Sequence, residues 1–262
     1  MQRAGHLREF WRYRELLYFL VWRDLKVRYK QTKLGAAWAI LQPFVTMIIF
    51  TIFFGRLAGI PSDDIPRPIF YYSALLPWTY FASALTGAGN SLLSNSDLLT
   101  KVYFPRLALP VAAVLTGLID FAIASVVLIG MMAYYAVPVS WELLLWPLLL
   151  LPLTALALGL GTILAALNVN FRDVKHALPF CVQLLLFLTP IIYPASMVPQ
   201  PYRSLLALNP LTGIIEAFRA ALIPGRAIDW GLLGISAVTT TILLVIGLTY
   251  FRRTEREFAD II

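Results

Sequence analysis

The sequence predicts an all-α polytopic membrane protein with six transmembrane helices, an N-terminal amphipathic interfacial helix and short re-entrant helices between spans five and six. Its composition is the first observation: 60% of the 262 residues are hydrophobic, 13% are charged, and the mean hydropathy is +0.77. Such values lie outside the range of soluble globular domains. Long apolar segments also recur along the chain, and lysine and arginine collect at their ends. We divide the chain into a helical segment, 1–34, and a membrane domain, 35–262.

Residues 1–34 carry charges throughout, which predicts a helix in the headgroup plane rather than a span. On a helix, one side is mainly basic and the other is aromatic and aliphatic. Asp24 and Arg28 interrupt the apolar side and, being four apart, are expected to pair. The basic side carries Arg8, Arg12, Glu15, Arg23, Lys26, Lys30 and Lys33, and the apolar side carries Phe10, Tyr13, Leu17, Leu20 and Val21. A soluble helix that binds a partner protein is the alternative.

Six apolar segments follow, each long enough at 1.5 Å per residue to cross about 30 Å of hydrocarbon. They are Gly35–Leu57, Ile69–Asn90, Val111–Ala136, Glu142–Leu167, Ala177–Ser196 and Trp230–Phe251. The connections on one side of these spans, with both termini, hold 16 lysines and arginines, against five on the other side. Because basic connections stay in the cytoplasm, both termini are predicted to be cytoplasmic.

A polar stretch, Ser94–Arg106, lies between the second and third spans. Asn95, Ser96 and Asp97 can cap a short helix that ends before Pro105. An ordinary solvated loop helix would show the same pattern, but a docking element for a soluble partner on the cytoplasmic side is the sharper interpretation.

The region between the fifth and sixth spans is the least regular. Six prolines interrupt this region and the end of the fifth span. The helical pattern over 211–223, with Glu216 and Arg219 three residues apart, is too short to cross a bilayer. We therefore predict short helices over about 197–228 that enter the outer leaflet and return, buried in protein or lining a cavity. A simple outer loop is the alternative.

The sequence offers no catalytic constellation. It contains no P-loop, no Gly-x-Ser-x-Gly and no His-Glu-x-x-His, and one cysteine with two histidines predicts no Cys/His zinc site. Asp120 lies within the third predicted span, where a lone carboxylate faces protein or water. We expect it to make a structural hydrogen bond, to Thr116 or to a neighbouring helix, because a proton relay would need further ionisable groups.

Aromatic residues are concentrated in the second predicted span. Rings near a membrane surface commonly form an interfacial belt, and flat rings also stack on sugars. The belt is favoured for Tyr71 and Tyr72, whereas Trp78, Tyr80 and Phe81 lie deeper and are candidates for lining a channel.

Several motifs together resemble the membrane subunit of ABC-2 type exporters, specifically permeases that export O-antigen, capsular or teichoic acid polymers. The likeness covers nearly the whole chain, and its motifs are specific only in combination. They are RYKQTKLGAAW at 28–38, LQP at 41–43, LPW at 76–78, residues 90–110 with KVYFPR at 101–106, NVNFRD at 168–173, LTPIIYP at 188–194 and LNPL at 208–211.

The resemblance implies roles for three segments. Residues 1–34 would be a gate helix at the cytoplasmic surface, about 94–106 a coupling helix that docks into a separate ATPase, and about 197–228 the closure of the outer mouth. The residues expected to couple to the ATPase are Asn95, Asp97, Leu98, Lys101, Tyr103, Phe104 and Arg106. Those expected to meet the substrate pyrophosphate at entry are Arg23, Lys26, Arg28, Lys30 and Lys33.

The expected function is therefore that of a permease subunit that moves a lipid-linked, O-antigen-like polysaccharide across the bacterial inner membrane. Two copies would pair with two ATPase subunits, which would bind ATP and magnesium, so that this chain carries no cofactor and is not itself an enzyme. Membrane lipids are further partners, and nucleic acid is not. The alternatives are a secondary transporter, which would need inverted repeats and intramembrane ionisable groups, and an ABC-2 exporter of another substrate such as a lipid or a drug.

Overall fold

The computed structural model describes residues 13–30, 35–63, 65–101, 104–171, 173–223 and 225–255. Within these ranges the protein is built from helices and contains no β-strand. The α-helices are α1 (Arg14–Lys30), α2 (Ala37–Phe50), α3 (Arg67–Asn90), α4 (Ser96–Lys101), α5 (Ala108–Tyr134), α6 (Trp146–Asn170), α7 (Val174–Leu188), α8 (Gln200–Leu208), α9 (Pro210–Ala220) and α10 (Trp230–Thr254). A π-helical segment, Thr51–Leu57, extends α2, and 3₁₀ turns precede α4, α6 and α8.

Four helical segments of the described chain are long and apolar enough to cross a membrane. They are Ala37–Leu57, Ala108–Tyr134, Trp141–Asn170 and Trp230–Thr254. They correspond to the first, third, fourth and sixth predicted spans, within a few residues at each end. The protein is thus an all-helical chain with four candidate spans, and the predicted total of six is not confirmed.

The second predicted span, α3, is long enough but less apolar, because it is the central helix of the protein. Sixteen of its 24 residues are buried, and it packs against α2, α5, α6, α7 and α9. A helix that is surrounded by protein does not need an apolar surface for lipid. Its composition therefore reflects its neighbours rather than a membrane.

The fifth predicted span, Ala177–Ser196, is wrong in its extent. Helix α7 has 15 residues and ends at Leu188, because Thr189 is extended and precedes Pro190. A residue before proline is driven out of the α-helical region. At 1.5 Å per residue α7 reaches only about 23 Å, which is less than the hydrocarbon thickness.

Glycine allows a close approach between α6 and α10. A β-carbon at Gly247 would lie 2.2 Å from the carbonyl oxygen of Gly159, and one at Gly159 would lie 2.8 Å from Cα of Leu244. Small residues let helix backbones approach in this way in membrane proteins.

The segment between α7 and α10 is helical, as predicted. Helices α8 and α9 occupy it, and every residue from Leu211 to Ala220 on α9 is buried. Asn209 caps α9 by accepting a hydrogen bond from the backbone N–H of Leu211 at 3.1 Å.

Candidate functional site

The polar stretch after α3 forms a short helix, as predicted. A 3₁₀ turn, Leu93–Asn95, leads into α4, and the side-chain amide of Asn95 donates to the carbonyl oxygen of Ser91 at 2.8 Å. Asp97 and Lys101 are exposed, whereas Leu98 is half-buried. We call α4 the docking helix, after the role that the sequence predicts for it. Tyr103, which was predicted to act with it, lies outside the described residues.

The buried side of the docking helix packs against an apolar cluster at one end of the protein. Phe104 is buried in this cluster and Leu98 packs against it. The other buried members come from α1, the end of α3, the start of α5 and the ends of α6 and α10: Leu20, Leu92, Ala108, Leu109, Ala112, Ala165, Ala166, Val169 and Phe251. This inner cluster joins the docking helix to α1 and to three candidate spans.

Arg106 anchors the docking segment to the end of α10. Its backbone N–H donates to the Glu255 carboxylate at 3.1 Å, and its guanidinium donates to the Glu255 carbonyl oxygen at 2.6 Å. In this structure Arg106 therefore binds within the chain, while Asp97 and Lys101 present their charges outward.

Asn168 joins α6 to α3 at the same end of the protein. Its fully buried amide nitrogen donates to the carbonyl oxygen of Gly89 and to the side-chain oxygen of Asn90, both at 3.0 Å. Nearby, a β-carbon at Gly161 would lie 2.6 Å from Cβ of Ala88. The contacts explain why a polar residue occupies the end of an apolar helix.

The basic residues of α1 are divided among different contacts. Arg23 pairs with Asp24 at 2.8 Å, the Lys26 ammonium lies 5.2 Å from the centre of the Trp22 ring, and Lys30 is exposed. Tyr18, Phe19, Trp22 and Val27 are exposed as well, so the outer side of α1 mixes aromatic and basic groups. The inner side, with Leu16, Leu17, Leu20 and Val21, packs in the inner cluster. Lys33 lies outside the described residues.

Arg28 does not pair with Asp24, contrary to the sequence-based expectation. Its guanidinium instead binds Asp120 on α5, and the hydroxyl of Tyr29 donates to the other carboxylate oxygen of Asp120. Thr116 donates to its own helix at Ala112, so the neighbouring helix is the correct partner for Asp120. Burial, followed by the hydrogen bond to Asp120, raises the pKa of Tyr29 well above its usual value, which keeps the phenol protonated.

The Arg28–Tyr29–Asp120 group lies at one side of a cavity of about 370 Å³ between α1, α2, α3 and α5, which we call the inner cavity. Its polar lining includes Gln42, Thr79 and Ser83. Its apolar lining includes Trp38, Pro43, Leu76, Phe121 and Ala124. A volume of this size falls within the range of small-molecule sites.

The five aromatic residues that were predicted for a belt or a channel lie inside the protein. Trp78 is the most exposed, at 7%. Tyr72 donates to the carbonyl oxygen of Ala124 at 3.1 Å, and Tyr80 is hydrogen-bonded to Thr154 at 2.9 Å. Tyr71 and Tyr72 therefore do not form an interfacial belt. Only Tyr80 of the five borders the inner cavity, and a channel could reach the others only if the helices around α3 separated.

A chain of ion pairs lies at the opposite end of the protein from the docking helix. Arg226 binds Asp63 at 2.6 Å and Glu216 at 3.0 Å, and Glu216 binds Arg219 at 2.6 Å. The guanidinium of Arg219 also donates to the carbonyl oxygens of Pro190 and Ile191, and lies 4.0 Å from the centre of the Phe70 ring. This outer ion-pair chain joins the connection after α2, the turn after α7, the C-terminal half of α9 and the connection that follows α9.

Sequence reasoning found the Glu216–Arg219 pair but missed Tyr29, Asp63 and Arg226 as partners. Asp120, a carboxylate within an apolar segment, was the sequence signal for the contact with Tyr29. No sequence signal indicated that Asp63 pairs with Arg226, because the two residues are 163 positions apart in the chain.

Apolar helices of spanning length around a buried central helix are typical of an α-helical membrane protein. A model of the family described as ABC-2 type transporter matches residues 15–223. The chain belongs to this family.

Curated relatives match nearly the full length. An O-antigen export system permease protein, RfbA, of Myxococcus xanthus is 35% identical over 258 residues, which cover 97% of this chain and 98% of the relative. RfbA of Klebsiella pneumoniae is 29% identical over 253 residues, 95% of each chain. The polysialic acid transport protein KpsM of Escherichia coli is 30% identical over 238 residues, 89% of this chain and 91% of the relative.

Proposed function

We propose that this chain is the membrane permease subunit of an ATP-driven exporter that moves a lipid-linked polysaccharide across the bacterial inner membrane. The observation that carries the proposal is the similarity over 97% of the chain to a protein named for O-antigen export. Another relative is named for polysialic acid transport. We infer a polymer of sugars as the substrate class, without a choice between polymers.

We place the inner cavity at the inner leaflet of the membrane. Trp38, at the start of the first candidate span, and Asp120 line this cavity. The first span has 21 residues, about 30 Å, which matches the hydrocarbon thickness. The start of α5, the end of α3 and the docking helix would then extend from the membrane. With both termini cytoplasmic, as the distribution of lysine and arginine predicts, these parts lie in the cytosol.

This placement supports six crossings with unequal exposure to lipid. Four candidate spans face lipid, and α3 crosses within the protein. Helix α7 crosses together with the buried turn that follows it, where Thr189, Pro190 and Ile191 are buried. Helices α8 and α9 dip into the outer leaflet, because α9 is buried along its length and carries the outer ion-pair chain.

In this arrangement the docking helix binds a separate ABC ATPase through its exposed charges. Asp97 and Lys101 contact the ATPase, Asn95, Leu98 and Phe104 hold the helix on the inner cluster, and Arg106 ties it to α10. Two copies of this chain pair with two ATPase subunits. Movement of the docking helix reaches α1 and the spans through the inner cluster.

The lipid-linked substrate enters beside α1. Arg23, Lys26, Arg28 and Lys30, with Lys33, supply cations for its pyrophosphate, since guanidinium and ammonium groups bind phosphate oxygens through charge-assisted hydrogen bonds. Tyr80 is the first of the α3 aromatics that the sugars would meet, and Tyr71, Tyr72, Trp78 and Phe81 become accessible as the helices separate.

The test is reconstitution of the chain with its candidate ATPase in lipid nanodiscs. We expect lipid-linked glycan to stimulate ATP hydrolysis, and the two genes together to restore surface polysaccharide in a bacterium that lacks its own exporter. Stimulation by unglycosylated lipids or drugs alone would assign another substrate. Glycan movement by the isolated chain without ATP would make the protein a secondary transporter and overturn the proposal.

A further inference from the structure

Two donors on α1 converge on the two oxygens of one carboxylate. The guanidinium of Arg28 binds one oxygen of Asp120, and the hydroxyl of Tyr29 donates to the other. A phosphate group presents the same features, namely neighbouring anionic oxygens that accept charge-assisted hydrogen bonds. Asp120 therefore occupies donors that are chemically suited to a phosphate.

This ion pair is open to competition. The Arg28 side chain is 41% exposed and that of Asp120 is 20% exposed, so a ligand can reach the guanidinium without unfolding the protein. Pairs of this kind are weak, typically about 0.2–1 kcal/mol. An anionic group delivered at the surface of a membrane can displace such a partner.

The cavity beside the pair has the chemistry of an amphiphile site. Its charged groups come from Arg28 and Asp120, and its hydroxyls come from Tyr29, Thr79, Tyr80 and Ser83. Trp38, Leu76, Phe121 and Ala124 give it an apolar lining. A lipid phosphate combines an anionic head with a hydrocarbon chain. The cavity can thus accept the first part of that chain while the head binds α1.

The first half of α1 packs in the inner cluster, and the second half contacts α5 through Asp120. Leu20 is its one buried residue within the described part of the helix, and the contact with Asp120 lies about two turns further on. Loss of the Asp120 contact would leave the second half of α1 held mainly by half-buried side chains. Leu20 belongs to the inner cluster with Phe104, so a shift of α1 reaches the docking segment.

We propose that Asp120 is an internal competitor of the substrate: in the substrate-free protein its carboxylate holds Arg28 and Tyr29, and the phosphate of the lipid carrier displaces it, which frees the second half of α1 from α5. This inference rests on the proposed function, because it takes a lipid-linked phosphate as the ligand. It assigns to Asp120 a role that a purely structural ion pair would not have.

The experiment measures binding of a short polyprenyl pyrophosphate to the complex with its ATPase in nanodiscs, with the matching polyprenol as the control ligand. Asp120→Asn removes the competitor but keeps the size of the side chain. We expect it to lower the dissociation constant for the pyrophosphate about two- to fivefold, the effect of one partly exposed ion pair. Glu142→Gln is the control variant, because Glu142 lies in the turn between the end of α5 and the start of α6, away from the contact with α1. An unchanged or higher dissociation constant in Asp120→Asn overturns the proposal.

Hydrogen exchange over residues 14–30 supplies a second measurement. In the wild type, exchange in the second half of α1 should rise when the pyrophosphate is added, and in Asp120→Asn it should already be high without ligand. The charge swap of Arg28→Asp with Asp120→Arg should restore protection of α1 but not the affinity for pyrophosphate. If the charge swap restores both the protection of α1 and the affinity for pyrophosphate, the pair is only structural and the proposed competition is overturned.

Glycan export in cells is scored separately from these measurements. If Asp120→Asn lowers the dissociation constant for the pyrophosphate but the wild type exports no glycan, the polysaccharide function is refuted and the competition is kept. If the wild type exports glycan but Asp120→Asn leaves the dissociation constant unchanged, only the competition is refuted.

Discussion

Arg219 and Phe70 are in stacking contact, with the guanidinium carbon 4.0 Å from the centre of the ring and the arginine side chain wholly buried. Glu216 neutralises this arginine at 2.6 Å, and two backbone carbonyls accept hydrogen bonds from its guanidinium, whereas its buried Nε has no hydrogen-bond partner among the described residues. A buried charge of this kind is costly unless it is paired. The contact fixes α9 to α3 and to the turn after α7.

We expect Arg219→Met to destabilise the protein by about 3 kcal/mol, near the lower end for a broken buried ion pair, since Glu216 keeps Arg226 as a partner. The measurement is thermal unfolding of the detergent-solubilised protein, followed by the loss of monodisperse material. Arg203→Met is the control, because Arg203 is exposed and donates only to the nearby carbonyls of Val198 and Ser196. Equal effects of the two substitutions would contradict the role given to Arg219.

Gly247→Ala should separate α6 from α10. The new methyl group would lie 2.2 Å from the carbonyl oxygen of Gly159, so the two backbones must move apart, at about 1–3 kcal/mol. Gly234→Ala on the same helix is the matched control: its methyl group meets no atom within 4 Å, and alanine favours the helix by up to about 1 kcal/mol. Denaturant unfolding in mild detergent compares the two. A stable Gly247→Ala protein would show that the helices are not tightly packed there.

Asn168→Ala should loosen α6 from α3 at the end that carries the docking helix. The substitution removes the donor to Gly89 and Asn90 and leaves a buried carbonyl unpaired, at about 1–3 kcal/mol. Asn170→Ala, two residues later and exposed, should have little effect. Thermal unfolding of both variants checks the difference. If Asn170→Ala is the more harmful, the motif at 168–173 acts through its exposed residue instead.

Apolar runs in the sequence predicted the four candidate spans and were less informative where a helix is covered by protein. The four candidate spans are visible as apolar runs because their outer surfaces need no polar groups. Helix α3 was recognised by length, but its tyrosines suggested a membrane surface, whereas Tyr71 and Tyr72 are buried. The end of α7 was missed because apolar residues continue past Pro190, and only the backbone geometry there shows where the helix stops.

The candidate site was predictable in its parts and not in its pairings. The sequence showed that Asp120 needs a partner and that α1 is basic, but the nearest option along the chain for Arg28 was Asp24. The observed partner lies 92 residues away, and a choice between local and distant carboxylates requires the packing of α1 on α5. The docking helix was easier, because a short polar segment between two apolar ones has few other folds.

The exposed charges of the docking helix give the last prediction. Asp97→Lys and Lys101→Glu each reverse a charge that faces away from the protein, so we expect normal folding and normal thermal stability. If α4 binds the ATPase, each reversal should weaken association with that subunit about fivefold or more, roughly 1 kcal/mol, and reduce glycan-stimulated ATP hydrolysis. Glu142→Lys, a reversal at the opposite end of the protein, should change neither the association nor the ATP hydrolysis.

Phe104→Ala should instead lower stability, because Phe104 fills the inner cluster. Co-purification and ATPase assays on the four variants separate the two effects: full association and activity in both charge reversals would remove the docking helix from the ATPase interface, whatever the result for Phe104.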